Sequence, residues 1–282
     1  MIIALSSKIS GGKDTVAKII QYLVAQSKVD YDLPYTLHEY LDGKDVYNVN
    51  HVKEYKESIS DDSGWKNKKF ADKLKDIVCI LLNCTRQQLE SQEFKSKELG
   101  EEWRVWYLQY ETKYGTTVLK NIFSSKQEAE NYSIFLKDKS CTYYQIKSEL
   151  LTPRRLLQLL GTDCGRNIIH PNIWINSLMS EYKFEGCKND GNSCDTPNGN
   201  CDSRYCFPNW IISDVRFPNE LKAVKDRKGI TIRINRNKVV ENEHESEIAL
   251  DNATFDYIIE NNGTIEELVE KVKQILIKEN IL

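Results

Sequence analysis

The sequence predicts an α/β protein built on a parallel sheet, and three observations lead to that prediction. A short apolar run, Ile2 to Leu5, passes through a glycine-containing loop into a segment with apolar residues at helical spacing. Strand-like and helix-like segments alternate again in the C-terminal part of the chain. The chain has 282 residues, 40% of them hydrophobic, so it contains enough apolar material for a sizeable core and wholesale disorder is excluded.

The N-terminal half begins with this strand–loop–helix unit. The helix is indicated by apolar residues at Val16, Ile19, Ile20 and Leu23. Residues 27–69 are polar and rich in Tyr, Asp and Lys, which predicts an irregular insertion. Phe70, Leu74, Ile77, Val78, Leu81 and Leu82 then form one apolar face, which predicts an amphipathic helix.

The middle of the chain contains a second and a third predicted insertion. Residues 104–150 are polar with scattered aromatic residues, and residues 185–208 form a cysteine-rich loop. Between them, Thr152 and Pro153 are typical of a helix N-cap followed by proline at the first helical position. The spacing predicts that this helix ends at Gly161.

The C-terminal part predicts three strands and two helices. A buried strand runs from Trp210 and is followed by Asp214, and the next helix begins at Pro218 and stops at Gly229. Strands are predicted at 230–234 and 257–259, and Thr264 with Glu267 predicts a capping box for the last helix. We therefore expect one domain over residues 1–282, enlarged by the three insertions.

Composition excludes several classes of protein. No stretch approaches the roughly 20 apolar residues of a membrane span. The 39 basic and 42 acidic residues give a formal charge of −3, which argues against general nucleic-acid binding. The N-terminus lacks the basic region of a signal peptide, so we expect the reducing cytoplasm. A homodimer remains possible.

The loop after the first strand is the strongest chemical signal. It reads Ser10-Gly11-Gly12-Lys13-Asp14-Thr15 and stands between a strand and a helix. In such a loop, backbone N–H groups and the helix N-terminus bind phosphate, and the lysine reaches the β- and γ-phosphates. The alternative is an ordinary Gly-Gly turn with a salt-bridged lysine.

Asp214 follows a buried strand and is expected at the carboxyl end of the parallel sheet, where ligands bind. Beside a phosphate-binding loop, a carboxylate in this position holds Mg²⁺ directly or through water. The alternative is an aspartate that caps a helix or fixes a loop.

The segment 152–174 is rich in arginine, and Arg154 and Arg166 are candidate phosphate ligands. A surface salt bridge is the alternative for both arginines. Trp174 is suited either to stacking on a base or to filling the core.

Several ordered motifs together resemble the phage-type deoxynucleoside monophosphate kinases. The matching segments are Gly12-Lys13-Asp14-Thr15, Phe70-Ala71-Asp72-Lys73-Leu74-Lys75, Thr152-Pro153-Arg154 with Gln158-Leu159-Leu160-Gly161-Thr162, Asp214-Val215-Arg216-Phe217-Pro218-Asn219-Glu220 and His244-Glu245-Ser246-Glu247. The resemblance covers about half of the chain and leaves out the three insertions. It implies a three-layer P-loop kinase fold and transfer of the ATP γ-phosphoryl group to a deoxynucleoside monophosphate, in the host cytoplasm if the protein is viral.

The resemblance also implies roles for individual residues. The implied catalytic residues are Lys13, Arg154, Arg166, Asp214 and Arg216, and the ATP phosphates are held by Ser10, Gly11, Gly12, Lys13, Asp14 and Thr15. The implied acceptor site contains Lys75, Arg154, Gly161, Thr162, Gly165, Arg166, Trp174, Asp214, Arg216 and Glu220. Mg²⁺ is expected near Thr15, Asp14 and Asp214. For Lys75, a solvated lysine is the alternative.

Two other functions remain open from the sequence alone. One is a P-loop kinase for a different phosphorylated acceptor, such as phosphomevalonate. The other is a non-catalytic nucleotide-binding protein, which is mildly favoured by Ser7 at the position where the first loop glycine is expected. Cys187, Cys194, Cys201 and Cys206 offer four thiolates for structural zinc, but only the last two have the usual spacing of a zinc-ligand pair.

Overall fold

The computed structural model describes residues 1–29, 33, 36–42, 59–112, 115–137, 144–185, 207–237 and 248–282. The chain divides into two compact units, one comprising Met1–Lys73 with Asn172–Leu282 and the other Leu74–Pro171. Among the described helices, none has the length and apolar character that crossing a bilayer requires. The prediction of a single domain over 1–282 stays a prediction.

The described strands are, in chain order, β1 (Ile2–Ser7), β2 (Trp65–Lys68), β3 (Arg104–Thr112), β4 (Gly115–Phe123), β5 (Tyr144–Leu150), β6 (Asn209–Ile212), β7 (Ile230–Asn235) and β8 (Tyr257–Glu260). The α-helices for which both ends are described are α1 (Lys13–Ser27), α2 (Leu37–Asp42), α3 (Asp72–Leu82), α4 (Arg86–Glu90), α5 (Gln92–Ser96), α6 (Lys126–Lys137), α7 (Pro153–Gln158), α8 (Ile173–Met179), α9 (Pro218–Lys225) and α10 (Ile265–Lys278). A short 3₁₀ helix covers Glu101–Trp103, and a π-helix covers Leu159–Ile169.

The first unit is built on a five-stranded sheet in the order β2-β6-β1-β7-β8, and each neighbouring pair is parallel. The central strand β1 pairs with β6 through Ile3 and Ile211 and with β7 through Ile3 and Ile230. All six residues of β1 are buried, so both faces of the sheet are covered. The predicted α/β class with a helix-flanked parallel sheet is confirmed.

The core of this unit lies between the sheet and the helices that pack on it. Helix α1 contributes Ile19 and Ile20, and α10 contributes Leu268 and Val272, all at most 2% exposed. The two pairs lie on the apolar stripes that the 3.6-residue period produces. Burial of each such side chain contributes about 1.5–3 kcal/mol, so these stripes hold α1 and α10 on the sheet.

The structure corrects the prediction that all of residues 27–69 form an irregular insertion. Leu37–Asp42 is helical, and Trp65–Lys68 is the edge strand β2, paired in parallel with β6. Trp65 is 3% exposed, and its carbonyl accepts a 2.7 Å hydrogen bond from the Gln21 side chain. The alternating exposure of β2 is weak because Lys66 and Asn67 are both exposed, so its sequence resembles a loop.

The second unit contains a separate three-stranded antiparallel sheet in the order β4-β3-β5. Helix α6 packs on this sheet, and Leu108 and Ala129 are fully buried there. Residues 104–150, predicted as a polar insertion, therefore form strands and a helix outside the parallel sheet in the part of that range that the structure describes.

The helix after Thr152 begins as predicted but does not end at Gly161. The Thr152 side chain accepts a hydrogen bond from Arg155 N at 3.1 Å, and Pro153 occupies the first turn. Helix α7 then continues into the π-helix, which contains Gly161. A Cβ at Gly161 would lie 2.8 Å from Leu74 Cδ2, so glycine serves close packing here and is not a C-cap.

Candidate phosphate-binding site

The loop between β1 and α1 has the backbone form that a phosphate site needs. Ser10 and Gly12 have positive φ angles of 61° and 102°, and Gly11 N donates to Lys8 O at 3.0 Å, which closes the turn. Gly12 is the N-cap of α1 and has no side chain to cap the first turn. The first N–H groups of a helix lack intrahelical acceptors and, with the helix dipole, attract anions.

Each glycine of this loop has a structural reason. A Cβ at Gly11 would lie 2.7 Å from Ser7 Cβ, and a Cβ at Gly12 would lie 2.5 Å from Asn261 Nδ2. Ser7 Cβ is fixed by the backbone, so space excludes a side chain at Gly11, whereas at Gly12 the Asn261 amide can move and the φ of 102° is the stronger reason for glycine. Packing and backbone conformation together explain why both positions hold glycine, and phosphate binding by the loop stays a prediction.

The loop is held by residues that follow the strands β7 and β8. Asn261, directly after β8, donates from Nδ2 to the carbonyl of Gly11 at 3.0 Å. Arg236, directly after β7, donates to the carbonyl of Ser10 at the longer distance of 3.5 Å. Sequence reasoning missed Asn261. Its position after a parallel strand was the available signal, because the carboxyl ends of parallel strands share one edge.

A charged network supports the strand that leads into the loop. Arg233 on β7 donates to Ser6 Oγ at 2.9 Å and to Asp251 Oδ1 at 3.0 Å. The other oxygen of Asp251 binds Lys8 Nζ at 3.0 Å. The Arg233 side chain is only 11% exposed, so its charge is largely withdrawn from water and its two partners fix its position.

Asp214 follows β6, and the structure shows what its carboxylate binds. Oδ1 accepts from Phe70 N at 2.8 Å and Oδ2 accepts from Ala71 N at 3.0 Å, so the side chain ties the end of β6 to the turn before α3. Burial raises the pKa of Asp214, against the two backbone hydrogen bonds and the positive charges of Arg216 and Lys69. This contact is the loop-fixing role that the sequence left open beside magnesium binding.

Lys69 is a second residue that sequence reasoning missed. Its ammonium binds Asp14 Oδ1 at 2.9 Å, and its positive charge acts on Asp214. One cation therefore neighbours two of the oxygen donors predicted for Mg²⁺, while the third, Thr15, is partly buried in the first turn of α1. Lys69 was missed because it is the last residue of the range 27–69, which the sequence predicts as an irregular insertion.

The other predicted residues of this unit lie in well-packed surroundings. Glu220 is 2% exposed, and its Oε2 accepts from Arg216 N at 2.8 Å and Phe217 N at 3.1 Å, which caps the N-terminus of α9. Trp174 on α8 is 7% exposed. Base stacking by Trp174, which is buried, and contact of Glu220, which caps α9, with a nucleoside stay predictions.

In the second unit, Lys75 lies in a cluster of charged residues around Glu90. Lys75 Nζ binds Glu90 Oε1 at 2.6 Å, and Lys95 Nζ binds Oε2 at 3.2 Å. The lysine side chains are only 15% and 14% exposed. Burial alone raises the pKa of Glu90, but hydrogen bonds and charges from both lysines outweigh it and lower this pKa to about 2. Lys75 is therefore not the solvated lysine of the alternative interpretation.

Arg154 is exposed at the start of α7, where Nη2 donates to Gln92 Oε1 at 2.6 Å. The contact is a hydrogen bond to a neutral amide, so the positive charge of Arg154 is not neutralised by it. Thr162, Gly165 and Arg166 follow within the π-helix, where Gly165 is buried and Arg166 is partly exposed. Their predicted contact with the acceptor stays a prediction.

No group of three or more potential metal-ligating side chains occurs within the residues that the structure describes. Cys187, Cys194, Cys201 and Cys206, predicted as a possible zinc site, lie outside those residues, as does the motif His244-Glu245-Ser246-Glu247. Among the described cysteines, Cys79, Cys84 and Cys164 are free thiols.

Comparison with known families gives a match over nearly the whole chain. The model of the family described as deoxynucleotide monophosphate kinase matches residues 1–272. The match includes β1, the loop, Asp214 and the segments around Lys75 and Arg154, so the resemblance seen in separate motifs extends through the ranges that the motifs left out.

Two individual relatives agree with this family match. A protein of Acanthamoeba polyphaga mimivirus, provisionally named deoxynucleotide monophosphate kinase, is 31% identical over 130 residues, which cover 43% of this chain and 59% of the relative. The present chain thus spans less than two thirds of that relative. The deoxynucleoside-5'-monophosphate kinase of Escherichia phage T5 is 23% identical over 238 residues, which cover 80% of this chain and 72% of the phage protein.

Proposed function

Because the chain belongs to the deoxynucleotide monophosphate kinase family, we propose that it transfers the γ-phosphoryl group of ATP to a deoxynucleoside 5′-monophosphate. The products are the deoxynucleoside diphosphate and ADP. The acceptor nucleophile is an anionic phosphate oxygen, so the reaction needs positioned cations rather than a general base. The low histidine content of the chain, four residues, is compatible with this chemistry.

The observation that carries the proposal is the loop between β1 and α1. Gly12, the N-cap of α1, provides no side-chain cap for the first backbone N–H groups of the helix, and such N–H groups at a helix N-terminus bind phosphate. Lys13 is the first residue of α1 and is suited to the β- and γ-phosphates. Ser10, Gly11, Gly12, Asp14 and Thr15 complete the proposed ATP phosphate site.

The donor set beside the loop fits Mg²⁺. Asp14 and Asp214 supply carboxylate oxygens and Thr15 a hydroxyl, and hard oxygen ligands are what this cation prefers. Mg²⁺, when bound, neutralises charge on the β- and γ-phosphate oxygens.

The acceptor phosphate is proposed to bind cationic side chains from the motifs that the family match covers. Four cationic side chains supply the charge: Lys75, Arg154, Arg166 and Arg216. The positive charge of Arg216 acts on Asp214, where it opposes the rise in pKa that burial causes. Arg154 is exposed, with a neutral amide as its described partner, so it retains its charge for an anion. The remaining proposed acceptor residues are Gly161, Thr162, Gly165, Trp174, Asp214 and Glu220.

An ADP-release assay with ATP and Mg²⁺ tests the proposal on deoxynucleoside, ribonucleoside and non-nucleotide monophosphates, including phosphomevalonate. We expect turnover on at least one deoxynucleoside monophosphate. Turnover on phosphomevalonate alone would favour the other acceptor class. ATP binding without turnover on any acceptor would favour a non-catalytic nucleotide-binding protein.

Lys13→Ala tests the role of the loop lysine. We expect turnover to fall about a hundredfold or more, since one preorganised donor to a transferring group is worth about that much. Lys273→Ala is the matched control, because Lys273 is exposed on α10 and takes no part in the proposed site. Retained activity in the Lys13 variant would refute the assignment of this loop.

A further inference from the structure

Helix α3 ends in a turn that brings two cysteines together. Asn83 has a φ of 48°, its N–H donates to Ile80 O at 3.3 Å, and Cys84 N donates to Cys79 O at 3.0 Å. A left-handed residue at the end of a helix, together with these two backbone hydrogen bonds, defines a Schellman motif. Cys79 and Cys84 occupy the two positions of this motif whose side chains frequently contact each other.

The two thiols occupy the position of the apolar contact that usually accompanies this motif. Cys84 contributes to the raised pKa of the Cys79 thiol, which agrees with the proximity that the turn imposes on the two residues. Both residues are partly exposed, and neither is in a disulfide. A small oxidant in solution therefore has access to a thiol pair that the backbone has already brought together.

We propose that Cys79 and Cys84 are a reversible modification site that closes to an intramolecular disulfide when the protein meets an oxidised low-molecular-weight dithiol or glutathione-type disulfide. The proposal is independent of the kinase activity, since neither cysteine belongs to the proposed nucleotide sites. In the reducing cytoplasm such a pair rests as thiols and is oxidised transiently.

The chemistry is a double thiol–disulfide exchange with glutathione disulfide. One cysteine thiolate attacks a sulfur of glutathione disulfide, whose S–S bond breaks and releases one glutathione thiolate. The second cysteine thiolate then attacks the mixed disulfide at the protein sulfur and releases the other glutathione. Two protein thiols are oxidised, one glutathione disulfide is reduced, and the two protons end on the two released glutathione molecules.

The surroundings of the pair affect the speed of this exchange. Burial and the neighbouring Cys84 raise the pKa of the Cys79 thiol, while the guanidinium of Arg86 opposes the rise. Arg86 is itself held by Asp76 at 2.9 Å. Since the thiolate is the reacting form, exchange is expected to run faster at mildly alkaline pH than at neutral pH.

Peptide mass spectrometry tests the proposal on the full chain. The protein is incubated with glutathione disulfide at mildly alkaline pH, free thiols are blocked with N-ethylmaleimide, and the chain is digested with trypsin. Cleavage after Lys75 and Arg86 gives the peptide 76–86, which contains Cys79 and Cys84 and no other cysteine. We expect this peptide to lose two hydrogen masses, to carry no maleimide, and to recover two maleimides after reduction with dithiothreitol.

Two other results would overturn the proposal. They are a peptide with two maleimides after oxidation, and a peptide with a stable glutathione adduct on one cysteine. Cys79→Ser and Cys84→Ser should each stop at the glutathione adduct, whereas Cys164→Ser should leave the loss of two hydrogen masses unchanged.

The contribution of the turn itself is tested at Asn83. Asn83→Gly keeps the left-handed backbone at no steric cost and should oxidise like the wild type. Asn83→Ala disfavours that backbone and should give a smaller oxidised fraction at the same glutathione ratio. Equal oxidised fractions in the two variants would refute the claim that the Schellman turn prepares the pair.

Discussion

Gly12→Ala is the substitution for which the structure gives the most detailed expectation. Gly12 has a φ of 102°, and a Cβ there would lie 2.5 Å from Asn261 Nδ2. Two costs therefore arise together. The alanine must adopt a left-handed backbone, and the Asn261 amide must move away from the carbonyl of Gly11, to which it donates at 3.0 Å.

The two costs have different sizes. A non-glycine residue in the left-handed region loses about 1–2 kcal/mol, and a lost hydrogen bond of this kind is worth about 1 kcal/mol. Gly12→Ala should thus lower the free energy of unfolding by about 2–3 kcal/mol. Asn261→Ala alone should lower it by about 1 kcal/mol, because it removes the same hydrogen bond without the backbone cost.

Gly64→Ala is the matched control for the backbone cost. Gly64 also has a positive φ, 67°, but a Cβ there would meet only the flexible end of Lys28, at 3.3 Å from Nζ. Its expected loss is about 1–2 kcal/mol, less than for Gly12. In the double variant Gly12→Ala with Asn261→Ala, the collision is gone and the hydrogen bond is counted once, so the double loss should be about 1 kcal/mol smaller than the sum of the single losses.

Urea unfolding followed by tryptophan fluorescence measures these differences, since Trp65 and Trp210 are buried in the same unit as both glycines. Two results would refute the reasoning. One is a Gly12 variant no less stable than the Gly64 variant. The other is a double variant whose loss equals the sum of the two single losses.

Two further predictions concern carboxylates. Because Lys75 and Lys95 lower the folded-state pKa of Glu90 to about 2 from an ordinary value of 4.5, the stability that Glu90 contributes is present above that ordinary value and is lost as pH falls through about 2. Urea midpoints measured across this range should fall less steeply in Glu90→Gln, and equal slopes would contradict the assignment. Asp214→Asn should lower the free energy of unfolding by about 1–3 kcal/mol, because an amide NH₂ group cannot accept from a backbone N–H. An unchanged urea midpoint at neutral pH would contradict the assigned role of Asp214.

The sequence predicts the central strands of the sheet because their composition reflects burial on both faces. β1 and β6 contain near-continuous apolar runs, which is the pattern of strands inside a parallel sheet, and β7 has isoleucine at every second position. Among the described strands β2 pairs with β6 alone, and it contains exposed Lys66 and Asn67, so neither its composition nor its period separates it from a loop. Burial, not intrinsic strand propensity, is what the periodicity detects.

In the candidate site, too, the residues that are close in sequence are predictable and the distant contacts are not. The loop residues Gly11, Gly12 and Lys13 are predictable because the strand, the turn and the helix adjoin in sequence. The side chains that hold them are not, because Asn261 reaches Gly11 across 250 residues of sequence and Lys69 reaches Asp14 across 55. These contacts exist because β8 and the segment after β2 end at the edge of the sheet where the loop begins, and topology rather than local sequence sets that edge.

The departure at Ser7 from the expected loop glycine has an explanation in the same geometry. Ser7 is the last residue of β1, paired with Ile234 of β7, and its hydroxyl donates to the carbonyl of Lys8 at 2.9 Å. Its Cβ stands 2.7 Å from where a Cβ of Gly11 would be, so a side chain at position 7 and a side chain at position 11 compete for one space. A serine that belongs to the strand is compatible with the tight loop because glycine stands at position 11. Glycine is therefore needed at position 11 and not at position 7. Serine at position 7 is compatible with a phosphate-binding loop.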